Sequence, residues 1–172
     1  MAIREIVFTP NPILRKKAHK VVDFGAKFQT LVTDMFDTMR DAPGVGLAAP
    51  QVAVSERLLV VEYADDEENE ESEEIIRKVY VLVNPEIVEK SEEMVLGIEG
   101  CLSVPGLVGE VSRHQSVTIK ALNRHGANQK IRAEGWLARI FQHEIDHLDG
   151  ILYTDLTDNV WKPSADDEVP LD

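Results

Sequence analysis

The chain has 172 residues and a mass of 19.3 kDa, with 44% apolar residues, enough for one domain with a proper core. It contains no apolar stretch near the ~20 residues of a membrane-spanning helix, and its 31 acidic against 18 basic side chains (formal net charge -13) argue against nucleic-acid binding through a broad basic face. A lone cysteine, Cys101, excludes an internal disulfide framework; with no secretory leader in the opening MAIREIVFTPNPILRKK, a cytoplasmic location is expected.

Residues 6–8 read as a short strand closed by Pro10 and Pro12. Phe24, Phe28, Leu31, Val32, Met35, Phe36 and Met39 recur at three- and four-residue steps, the stripe of an amphipathic helix that stops before Pro43 and Gly44. The string GVGLAAPQV follows. Its small residues let a backbone lie close to a ligand, and Gln51 carries an amide that can donate to a developing oxyanion. Its glycine spacing does not fit a phosphate loop.

From Arg57 the texture changes to short β-rich runs: RLLVVEY, KVYVLVN, IVEK, SVTIKALN and QKIRAEG. Asn123, Arg124, His125 and Gly126 read as a hairpin turn between the last two. The acidic run at 65–74 separates the first two. Like charges packed that densely predict a solvated loop, and the run lacks the spaced ligands and turn glycine of a calcium loop. His125 reads as a turn residue only, and His19 and His114, with no partner at ligand spacing, read as surface residues.

The most informative string is QHEIDHLDG, on a helix predicted over 136–149. Residues four apart share a helix face, so His143 and His147 can hold one metal, while Glu144 reaches a water on that metal without being a ligand. A polar helix face with two histidines by accident is the bland alternative. At about 100° per residue, Trp136, Ile140, His143 and His147 fall on one stripe and Leu137, Phe141, Ile145 and Leu148 on another. One face is expected to meet the core and the other a cavity. Trp136 and Ile140 are then pocket walls, or else plain core. Catalytic zinc-type centres take three protein ligands and leave a position for water, so a third donor is needed. Cys101, in GIEGCLSVPG with Gly97 and Gly100 before it and the polar Glu99 and Ser103 beside it, is the candidate.

With these strings in view, the chain resembles the peptide deformylase family: GVGLAAPQ, EGCLS and QHEIDH look like its three signature motifs, in its order. The resemblance runs from Leu14 and Arg15 through Leu152 and is most specific in the motifs. It implies an α+β fold of antiparallel β-sheets around a central helix carrying the HExxH motif, and a single catalytic domain over 1–172 with an acidic loop near 65–74 and an acidic C-terminal tail. It implies removal of the formyl group from the N-terminal formyl-methionine of nascent peptides, with release of formate. Carried over residue by residue, Cys101, His143 and His147 would be the metal ligands and Glu144 the general acid and base. Gln51 and the backbone amide of Leu102 would receive the oxyanion. Glu99 would pair with Arg113 as structural support. Gly46, Leu47, Trp136 and Ile140 are the candidates for the substrate pocket.

One divalent metal ion per chain is implied, Fe2+ first, with Zn2+, Ni2+ or Co2+ as alternatives, because a mixed nitrogen and sulfur site accepts all four. No direct nucleic-acid or membrane partner is expected. Many members end in a basic helix that docks on the ribosome, whereas this chain ends KPSADDEVPLD, so a transient ribosome association would need another contact. A zinc endopeptidase shares HExxH but usually takes its third ligand from a histidine or glutamate. A binding protein that merely kept the fold would be expected to have lost at least one of these residues.

Overall fold

The computed structural model describes residues 2–64 and 77–164. The acidic run at 65–74, and the acidic tail from 165 onward, lie outside the described residues. In chain order the main elements are α1 (Ala26–Asp41), β1 (Gly46–Ala48), β2 (Leu58–Ala64), β3 (Arg77–Lys90), β4 (Met94–Cys101), β5 (Val104–His114), β6 (Ser116–Leu122), β7 (Asn128–Glu134), α2 (Gly135–Leu148) and β8 (Val160–Trp161). This is an α+β arrangement with antiparallel pairing throughout both sheets.

Helix α1 forms because its apolar residues repeat on one face, and Phe28, Leu31, Val32, Met35, Phe36 and Met39 are all buried. They pack with Leu47, Leu58, Val60 and Val83 in one apolar cluster. Full burial of side chains of this size contributes about 1.5–3 kcal/mol each, which outweighs the weak intrinsic preference of β-branched and aromatic residues for a helix.

One sheet has the order β1-β2-β3-β6-β7 and the other β4-β5-β8. The runs KVYVLVN and IVEK, separate in the sequence reading, join into the single strand β3. Asn84, the last residue of the first run, has φ 51°, and the register against β6 shifts between Val83 and Glu86. Its side chain accepts from the Val21 N–H at 2.9 Å and donates to the Val21 carbonyl at 3.0 Å, so a bulge is held open without ending the strand. Strands β4 and β5 had no counterpart in the sequence reading, because Gly97, Gly100, Pro105, Gly106 and Gly109 break the alternation.

Residues 6–8 are a further correction: they join neither sheet. Instead the Val7 N–H donates to the Gln51 carbonyl at 2.8 Å and the Thr9 N–H to the Ser103 carbonyl at 3.0 Å, tying the GVGLAAPQ and EGCLS segments to one stretch of chain. His114 is half-buried, with Nδ1 2.7 Å from the Ser91 carbonyl, and is not the surface residue expected.

Helix α2 touches β1, β2, β6 and β7 of one sheet and β5 of the other. From Ala138 to Leu148 every residue except Asp146 is buried. The expectation of one core face and one cavity face is corrected accordingly. Ile140 lies in the same cluster as Phe141, Ile145 and Leu148, together with Leu59, Leu82, Ile119 and Ala133 of the five-stranded sheet, so both stripes of the helix meet core. Among the described residues, no helix is long and apolar enough to cross a membrane.

Candidate metal centre

Cys101 ends β4, where the register against β5 shifts between Gly100 and Cys101. His143 and His147 lie one turn apart on α2, their ring centroids 5.1 Å from each other. The structure brings the three together: one ligand atom from each lies within 4.8 Å of the others, and all three residues are buried. Cys101 Sγ is 3.3 Å from His147 Nε2. A thiolate and two imidazoles so grouped suit a four-coordinate ion with one open position.

The tautomers needed for that role are set by neighbours. His143 Nδ1 is 2.8 Å from Glu99 Oε1, so Nδ1–H donates to the carboxylate and Nε2 is the nitrogen whose lone pair could serve a metal. Burial, then the proximity of His143, lowers the pKa of His147 well below its ordinary value, which keeps it in the neutral form that binds metals.

Glu99 is wholly buried. It accepts from Arg113 at both oxygens, 2.9 Å from Nε to Oε2 and 2.8 Å from the second guanidinium nitrogen to Oε1. Burial alone would raise its pKa, but the hydrogen bonds and charges of Arg113 and His143 hold it below the usual carboxylate range. Arg113 reaches Asp146 at 2.5 Å as well. Burial raises the pKa of Asp146 despite that partner.

Glu144 is also fully buried, with Oε1 3.9 Å from His143 Nε2. Gln51, fully buried as well, is turned by its own loop: Oε1 accepts from the Ala48 N–H at 3.0 Å. Its Nε2 therefore points toward the centre, donating to Ser103 Oγ at 3.2 Å and lying 3.7 Å from Cys101 Sγ. Leu102 follows Cys101 directly, its side chain partly buried against the α1 cluster.

The pocket candidates fall out differently. Leu47 and Ile140 are each fully buried in apolar clusters, so their side chains are core and form no open wall. Gly46 is buried in β1, with its backbone against Glu144. Trp136 is half-buried, with the Arg139 guanidinium 5.9 Å from its ring centroid. Two neighbours of the centre were missed by sequence reasoning. Arg139 donates to Glu99 Oε2 at 2.6 Å, and its signal was a cation four residues before His143 in an otherwise apolar helix stretch. Tyr153, whose ring stacks 6.2 Å from that of His143, carried no signal.

An α+β fold that gathers a thiolate, two imidazoles and an adjacent buried glutamate defines a metal-dependent hydrolase. The polypeptide deformylase family profile matches residues 3–162. A peptide deformylase from Symbiobacterium thermophilum is 54% identical over 168 residues, covering 98% of this chain and 73% of that protein. One from Natranaerobius thermophilus is 46% identical over 162 residues, covering 94% and 97%. Among solved structures, the peptide deformylase of Legionella pneumophila matches with a TM-score of 0.80 at 47% identity, covering 90% of this chain and 86% of that one. That of Ehrlichia chaffeensis matches with a TM-score of 0.82 at 38% identity, covering 90% and 88%. The chain belongs to the polypeptide deformylase family. It is a hydrolase that removes the formyl group from N-terminal formyl-methionine.

Proposed function

We propose the route by which this chain releases formate from N-formyl-methionyl nascent peptides, acting as a single catalytic domain whose central element is the HExxH-bearing α2. The observation that carries it is the buried grouping of Cys101, His143 and His147 with Glu144 alongside. Cys101, His143 and His147 hold one divalent ion, Fe2+ natively, with Zn2+, Ni2+ or Co2+ able to replace it because the donor set mixes sulfur and nitrogen. When bound, that ion supplies Lewis acidity, activating a water and polarising the formyl carbonyl.

Glu144 takes the proton of the attacking water and returns it to the departing amine, positioned general acid and base work that its burial favours. Gln51 Nε2 and the Leu102 N–H donate to the oxyanion as it forms. Gln51 suits this because its carbonyl end is already occupied by Ala48, which leaves the amide end fixed toward the centre. Glu99 and Arg113 hold the ring of His143 in place.

β1 and β4 are both edge strands, so each leaves backbone donors and acceptors on which an extended peptide can pair beside the centre. Gly46 contributes backbone there, and Trp136 stands at the start of α2. Cytoplasmic location and transient contact with the ribosome fit a substrate that is still being synthesised. The test is formate release from formyl-Met peptides by protein reconstituted anaerobically with Fe2+. Formate without cleavage of the peptide backbone is expected. Backbone cleavage in its place would make the chain an endopeptidase.

A further inference from the structure

Glu99 is gripped from α2 at both of its oxygens by residues four apart on that helix. His143 Nδ1 meets Oε1 at 2.8 Å, and Arg139 meets Oε2 at 2.6 Å. The carboxylate therefore spans one helical turn and fixes where β4 lies along α2. Glu99 and Cys101 are two apart on β4, so whatever sets Glu99 along the helix also sets the spacing of the Cys101 sulfur from the two imidazoles.

Arg139 is built into this position. It is 4% exposed, and besides Glu99 it donates to the Val111 carbonyl at 2.9 Å and the Val95 carbonyl at 2.6 Å. Gly97 makes room for it: a β-carbon there would stand 2.7 Å from its central carbon and 2.8 Å from Nε. Arg113 does not duplicate it. Arg113 approaches from β5 and divides its guanidinium between Glu99 and Asp146. Two buried or half-buried carboxylates are thus matched by two guanidiniums, and only Arg139 comes from the helix that carries the imidazoles.

We propose that Arg139 is a positioning residue for the metal centre, closing a clamp from Arg139 through Glu99 to His143 that Gly97 permits. The proposal rests on the reading of His143 as a metal ligand. Outer partners of metal-binding histidines typically change metal affinity 10- to 100-fold when removed. Arg139→Met should weaken Zn2+ binding by about that factor in competition with a chelator, and Arg139→Lys, with one ammonium in place of a fork, should fall between. In the metal-free protein, the His143 Nδ1–H proton resonance should shift or exchange faster in Arg139→Met than in the parent.

Gly97→Ala should act in the same direction by displacing the guanidinium, and should add nothing in an Arg139→Met background. If Arg139→Met does not fold, Gly97→Ala carries the test alone. Parent-like Zn2+ affinity with an unchanged His143 resonance in either folded variant overturns the clamp. So does weaker Zn2+ binding with that resonance unmoved, because the effect would then not pass through His143. His143→Ala separates the two claims: if it binds Zn2+ like the parent, the ligand reading fails, while the resonance of the metal-free protein still judges Arg139.

Discussion

Gly46 of β1 lies directly against the Glu144 side chain: a β-carbon there would stand 3.0 Å from both Cγ and Oε1 of the glutamate. The absence of a side chain at this position lets the carboxylate occupy its buried place beside His143. Gly46→Ala should therefore displace Glu144 while leaving Cys101, His143 and His147 where they are. The carboxylate must give by less than the ~1 Å displacement that costs a reacting group on the order of 100-fold in rate. We expect kcat/KM on formyl-Met peptides to fall by a smaller factor, on the order of 10-fold, with Zn2+ content and Tm close to the parent. Unchanged kinetics would show that Glu144 tolerates the intrusion.

Glu144→Gln tests the proton-transfer role without changing volume. The amide keeps the shape of the side chain and loses its ability to take a proton, so turnover should drop by about 10² to 10⁴. Metal stoichiometry should stay at the parental value. A variant that keeps its metal and nearly all its turnover would remove Glu144 from the chemistry.

On the proposed reading, Cys101→Ala removes a metal ligand, and it also removes the sulfur near Gln51 Nε2. Metal content after dialysis should fall sharply, by more than in the Glu144 variant. Were Cys101 only buried filler, alanine would leave the metal in place at a small cost in packing.

The parts of the site legible in the sequence were those written as short-range spacing. His143 and His147 are four apart on one helix, so helical geometry alone predicts that they meet. Cys101, which joins them through tertiary structure, was legible as the lone cysteine of a glycine-rich string, whereas Glu99 on β4 and Arg113 on β5, whose side chains meet although their backbones pair with Gly109 and Val95, were linked only by resemblance. The β4 and β5 pair was hidden because its glycines, Gly97 beside Arg139 among them, erase the strand pattern. For Ile140 two readings, pocket wall and plain core, stay open in the sequence for a different reason. Periodicity separates an apolar face from a polar one, but cannot tell which of two adjacent apolar stripes borders a cavity and which is covered by core. Gly46 was recognised as a place of close approach; what approaches it, Glu144, lies 98 positions away and could not be read from spacing.

Tyr153 yields the last prediction. Its side chain is 1% exposed, and its hydroxyl has no hydrogen-bond partner among the described residues. Burial, followed by the charges of Cys101 and Glu99, pushes the phenol up to about 12 from 10.0. In that window the unfolded chain gives up the tyrosine proton before the folded protein does. Stability should therefore be intact below pH 10 and decline as pH rises through about 12. Tyr153→Phe keeps the ring against His143 and deletes the ionisation. A buried hydroxyl left without a partner costs about 1–3 kcal/mol, so the variant should be at least as stable as the parent at neutral pH. Its advantage should then widen from pH 10 to 12. Urea midpoints of the metal-free proteins across that range decide the matter: curves that stay parallel would mean that Tyr153 titrates alike in both states.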